Sequence, residues 1–118
     1  PMREIKQRGF DAALHDAREI AGRNTSGYGI SVDLDAIDPR DAPGVGSPVR
    51  GGLRATELLN ALAQHAGDAA LRGLEIVEYN EYLDRDSQTI ELVPAIVEAL
   101  LAPQHAFDFA RSAPAERA

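Results

Sequence analysis

Two aspartates one residue apart, Asp33 and Asp35, follow the short β-rich run Tyr28-Gly29-Ile30-Ser31-Val32, and a third acid, Asp38, closes the segment before Pro39. On an extended backbone, side chains at i and i+2 point to the same side, so both carboxylates can converge on one hard or borderline cation. Burying two such acids unpaired is very costly, and a cation is the usual remedy. The same residue type also serves at strand exits as a cap or Asx turn, bonding the local backbone. Spacing alone leaves both readings open. A second apolar run, residues 71–77, ends in Glu78-Tyr79-Asn80 and again places an acid at a carboxyl end. In open α/β sheets ligands bind outside the carboxyl ends of the strands, so these acids face a crevice instead of the core.

The elements that must hold these acids can be read from periodicity. Phe10, Leu14, Ala17 and Ala21 recur at helical spacing and predict a helix over residues 10–21, stopped by the polar loop 22–27. Residues 28–32 and 71–77 predict strands. Between them, Pro43, Gly44, Gly46, Pro48, Gly51 and Gly52 make residues 40–52 an ordered, irregular loop. Leu58, Leu59, Leu62 and Ala66 predict a second helix starting at residue 54, with Gly67 as its stop. Residues 84–87 read as a polar turn. Ile90, Val93, Ile96, Val97 and Leu100 predict a third helix over residues 87–101. The order is that of an α/β arrangement with right-handed crossovers. Strands read as apolar on both faces expect parallel neighbours, so two of them call for a larger sheet or an associating partner, and a homo-oligomer is expected. Residues 1–102 form the α/β unit; residues 103–118 read as a tail, with 112–118 disordered.

Composition narrows the partners. Twelve Lys+Arg against 19 Asp+Glu give a net charge of −7, which lacks the basic footprint of a phosphate-backbone binder and excludes nucleic acid. The apolar stretch 94–101 is interrupted by Glu98 and falls short of the ~20 apolar residues a bilayer demands, so no membrane span is expected. Cysteine is absent, which removes disulfides, thiolate metal sites and thiol nucleophiles and suits a reducing, cytoplasmic setting. No secretory signal is visible at the start.

Ser31-Val32-Asp33-Leu34-Asp35-Ala36-Ile37-Asp38-Pro39, followed by Gly46-Ser47-Pro48 and by Gly51-Gly52-Leu53, matches in order the pattern S-x-D-x-D-x-x-D-P, G-[TS]-P, G-G-L. With Glu78-Tyr79-Asn80 after the second strand, the chain resembles the ureohydrolase family of arginase, agmatinase, guanidinobutyrase and formimidoylglutamase. The resemblance extends from about residue 3 to residue 101, and Leu83-Asp84 makes it most similar to bacterial arginase. It implies the C-terminal portion of a three-layer parallel-sheet α/β fold. It also implies that Asp33 bridges both ions of a di-manganese pair, that Asp35 holds one of them, and that the pair activates a water for attack on a guanidinium carbon. The same resemblance implies that Glu78 accepts hydrogen bonds from the substrate guanidinium, that Ser47 stands where the family has Thr near the base of the substrate pocket, and that Asp38 is a supporting or turn-fixing residue. L-arginine, cleaved to ornithine and urea, is the first substrate expected.

The departures from the family pattern matter as much. The family's other metal ligands, a His after a Gly-Gly-Asp segment and a D-x-H-x-D strand, have no counterpart here. Of the only histidines, His15, His65 and His105, the first two fall in expected helices and read as surface or helix-end residues. The proton-shuttle His and the loop gripping the substrate's amino-acid end are missing likewise, so the isolated chain is expected to be inactive. Glu81 replaces the family's Pro and leaves the guanidinium contact intact. A phosphatase reading, with Asp33 as nucleophile and Asp35 as acid/base, requires a downstream Lys, and the only one, Lys6, lies upstream. The loop has no G-x-G-x-x-G, which weakens a nucleotide reading. A non-catalytic remnant that oligomerises is the remaining alternative.

Overall fold

The computed structural model describes residues 2–101. Six regular elements follow in order: α1 (Met2–Arg8), α2 (Phe10–Ala21), β1 (Tyr28–Asp33), α3 (Ala55–Ala63), β2 (Leu71–Val77) and α4 (Gln88–Leu101). β1 and β2 pair in parallel, in a register that sets Val32 beside Ile76 and Asp33 beside Val77. Parallel neighbours need a crossover, and residues 34–70, with α3, supply it. α3 packs against both α2 and α4.

Alternation along the strands decides which face is covered. Ile30, Val32, Leu74 and Ile76 point into a core built with Leu58 and Leu62 of α3 and Leu92, Ile96 and Leu100 of α4. The opposite face carries Gly29, Ser31, Gly73 and Glu75, all exposed, with the Ser31 hydroxyl donating to Glu75 Oε1 at 2.7 Å. This corrects the expectation of strands apolar on both faces. The pattern is the period-2 alternation of a sheet with one covered face. The end of the second expected helix also differs. α3 ends at Ala63, with Gln64 as its C-cap, ahead of Gly67, whose φ of +76° places the left-handed turn further along. The chain between them turns through hydrogen bonds from His65 N–H to Leu62 O and from Ala66 N–H to Ala63 O. The expected tail lies outside the described residues.

The irregular loop 40–52 is fastened from both sides. Asp38, 2 % exposed, accepts from the Arg40 and Gly51 N–H groups and from the Arg40 guanidinium, all at 2.8–3.0 Å. Gly52 passes so close to the 3-10 turn that a Cβ there would lie 2.6 Å from Ala36 O and 2.9 Å from Asp38 N. Only glycine permits this approach. Further along, the Gly44 N–H donates to Thr89 Oγ1 at 2.7 Å, and Gly44 O accepts from the Asn80 N–H at 2.8 Å. Thr89 is fully buried. Thr89→Val keeps its shape but leaves the Gly44 N–H without a partner, so it is expected to cost about 1–3 kcal/mol, read as a lower midpoint in urea unfolding.

Candidate active site at the carboxyl ends of the strands

Asp33 is the last residue of β1, and Val77, its register partner, is the last residue of β2, so Asp33 and Glu78 leave adjacent strand ends. The extended backbone stops at Asp33. Leu34–Ala36 form a 3-10 turn, and Asp33 Oδ1 caps it by accepting the Asp35 N–H at 2.9 Å. The expectation that Asp33 and Asp35 share one extended segment is therefore corrected: the short Asp side chain competes for the backbone and bends it. Asp35 is half-buried, while Asp33 is exposed. Asp35 Oδ1 accepts the Ser47 N–H at 3.1 Å, which ties the Pro/Gly loop to the strand exit. In each carboxylate, one oxygen takes a backbone N–H and Oδ2 forms no hydrogen bond among the described residues.

Two hard oxygen donors open to solvent at a strand exit fit part of the shell of a manganese-type cation. No group of three or more His, Cys, Asp or Glu side chains is placed to hold a metal ion among the described residues. His65 is buried, not at the surface, at the end of α3. It stacks on His15, with ring centroids 6.4 Å apart, and lies 3.4 Å from Arg18 Nη1, so both rings are committed to the seam between α2 and α3. His105 lies outside the described residues.

Glu78 has a φ of +69°, a left-handed conformation that L side chains other than Asn or Asp rarely adopt. Such backbone costs on the order of 1–3 kcal/mol and persists where surrounding structure imposes it. Here the imposing contacts are the antiparallel bridge between Val45 and Tyr79 and the Asn80 to Gly44 hydrogen bond. Glu78 is exposed and lines an open cleft of about 460 Å³ with Gly46, Tyr79, Glu81 and Tyr82. Carboxylates beside aromatic rings suit a planar cation such as a guanidinium. Ser47 does not line this cleft; its neighbour Gly46 does, and Ser47 stands on the Asp35 side.

Asp84 and Asp41 have positioning roles that the sequence did not reveal. Asp84 accepts the N–H groups of Thr89 and Ile90 at 2.9 and 3.0 Å and the Tyr79 hydroxyl at 3.2 Å. Burial pushes its carboxyl upward, but these hydrogen bonds outweigh that and hold it below the usual carboxylate range. Asp41 accepts the Ala55 N–H and the Arg54 guanidinium, anchoring the start of α3. For Asp84 the available signal was an acid a few residues ahead of an apolar-periodic helix; Asp41 lies 14 positions before Ala55, and no local pattern marks it. Asp38 is likewise held well below its ordinary range, first by the Arg40 guanidinium, so it stays ionised as the clamp of the loop. No helix among the described residues is long and apolar enough to cross a membrane.

Comparison with known proteins identifies this arrangement. The Arginase family model matches residues 1–102. Arginase of Brevibacillus brevis is 37% identical over 99 residues, covering 84% of this chain and 33% of that protein. The crystal structure of arginase from Bacillus subtilis superposes with a TM-score of 0.79 at 33% identity, over 86% of this chain and 38% of that one. Formimidoylglutamase from the same species gives 0.77 at 29% identity, over 84% and 31%. The chain spans about a third of the length of the curated relatives it matches. Family model, relatives and superposed structures agree that the chain belongs to the Arginase family and forms a portion of its α/β fold.

Proposed function

We propose that this segment supplies two metal-binding carboxylates and the guanidinium-orienting carboxylate of a manganese-dependent hydrolase that cleaves L-arginine to ornithine and urea. The observation that carries the reading is the placement of Asp33 and Glu78 at adjacent carboxyl ends of two parallel strands, with Asp35 in the turn that follows Asp33 and Glu78 held in strained backbone beside an open cleft. When bound, the manganese pair supplies the Lewis acidity that makes water nucleophilic at neutral pH. Asp33 and Asp35 would hold that pair. Glu78 accepts guanidinium N–H groups and fixes the plane of the substrate. Ser47, through its backbone N–H, steadies Asp35. Asp38 keeps the loop that carries Ser47 in place. The uncovered sheet face and the sheet edges are where the rest of the family's fold packs, and the assembled protein is a homo-oligomer.

Two carboxylates make an incomplete shell, so imidazole and further acid ligands from outside this segment complete the site. The purified 118-residue chain is therefore expected to release no urea from arginine or agmatine above a manganese-only blank. The protein carrying this segment together with its upstream sequence is expected to release urea, from arginine before agmatine. Urea from the 118-residue chain contradicts the shared shell, and none from the longer protein with any guanidino substrate favours a non-catalytic remnant.

A further inference from the structure

We propose that the far side of the 40–52 loop is a binding site for a small, multiply charged oxyanion, a polycarboxylate or a phosphate compound. A concavity of about 650 Å³ lies there, lined by Arg40, Arg50 and Arg85 among other residues. It shares no lining residue with the cleft at Glu78. Its volume falls within the range of small-molecule sites.

Charge is what distinguishes the place. The chain as a whole carries −7, yet three arginines face one concavity whose single lining acid, Asp38, is already taken by Arg40 and the Gly51 N–H. Arg40 remains 67% exposed at its side chain. Arg50 and Arg85 are exposed and form no ion pair among the described residues. Of the acids flanking Arg85 in sequence, Asp84 turns its carboxylate to the Thr89 and Ile90 N–H groups, while Asp86 is exposed. A fourth cation adjoins the cavity, since the Lys6 ammonium lies 3.5 Å from where a Gly51 Cβ would stand. Like charges brought together in this way repel one another unless an anion sits between them.

The walls are stiff. Pro39, Pro43 and Pro48 line the cavity, and the Asp38 clamp fixes both ends of the loop, so little order has to be imposed when a ligand arrives. Guanidinium forks match the oxygens of carboxylate and phosphate groups bidentately, and several around one cavity select a ligand with more than one negative charge.

Calorimetric titration of the chain with citrate and, separately, with pyrophosphate, at constant ionic strength set by sodium chloride, tests this. Saturable binding of at least one of them is expected, and the arm that saturates identifies the chemistry. The double substitution Arg50→Gln with Arg85→Gln, neither residue having a structural partner, is expected to weaken that binding at least ~10-fold. Arg50→Lys, which keeps charge but loses the fork, should fall between. Binding of neither anion, or equal binding by the unaltered chain and a folded double variant, overturns the proposal. So does a double variant that changes the oligomer mass in light scattering while anion binding is unchanged, because the arginines then serve contacts between copies.

Discussion

Asp33→Asn in the complete protein is expected to lose manganese and at least ~1,000-fold in kcat/KM, well beyond the 10–100-fold typical of groups that only orient a ligand. The substitution separates the two roles available to Asp33. Asn is as good a cap as Asp, so the bond from the Asp35 N–H to the residue 33 side chain, 2.9 Å in the structure, survives. The 3-10 turn and the Ser47 contact then persist, and the protein keeps its fold. What disappears is the negative charge and the donor strength that a shared cation requires. Metal analysis beside steady-state kinetics reads both losses, and a folded Asp33→Asn protein with its manganese and activity intact would reduce Asp33 to a cap.

Glu78→Gln is expected to do the reverse with metal and nearly as much harm to turnover. Glu78 has no companion acid at i+2 and no role as a cap, and it faces the cleft beside Tyr79, Glu81 and Tyr82. Gln preserves its length and shape while removing the charge that pairs with a guanidinium. Losing a charge-assisted contact of this kind costs a few kcal/mol, so kcat/KM should fall at least ~100-fold with manganese content unchanged. An uncharged substrate analogue should lose far less, because the penalty is electrostatic. Equal losses for charged and uncharged substrates would place Glu78 among the structural residues.

Three of the four helices and the second strand were legible because their apolar residues repeat with a clear period, whereas α1, which buries no residue, was not expected. Phe10 and Leu14 mark α2, and the apolar run to Val77 marks β2, with the bounds seen in the structure. α3 was overextended because Ala66 and Gly67 continue the pattern after the hydrogen bonding has changed to turns at Gln64. The acids at the strand exits were legible as candidates, but their local geometry was not. The turn after Asp33 depends on one side-chain hydrogen bond, and periodicity carries no trace of it. Contacts between distant segments were equally hidden. Gly44 meets Thr89 across 45 positions, and nothing in either neighbourhood names the other. The left-handed backbone at Glu78 is imposed by that same loop, through Val45 and Gly44, so it could not be read from Glu78 itself. His65 looked like a helix-end residue, and its burial follows from α2 laying Arg18 and His15 over it.

Asp33 and Asp35 are proposed to serve the metal while Glu78, one strand away, serves the substrate. Manganese anomalous scattering from crystals of the complete protein grown with manganese locates the ions without relying on activity. Anomalous peaks bonded to carboxylate oxygens of Asp33 and Asp35 are expected, with the Glu78 carboxylate outside the coordination shell. Peaks bonded to Glu78, or none at Asp33 and Asp35 in a protein that hydrolyses arginine, would contradict it.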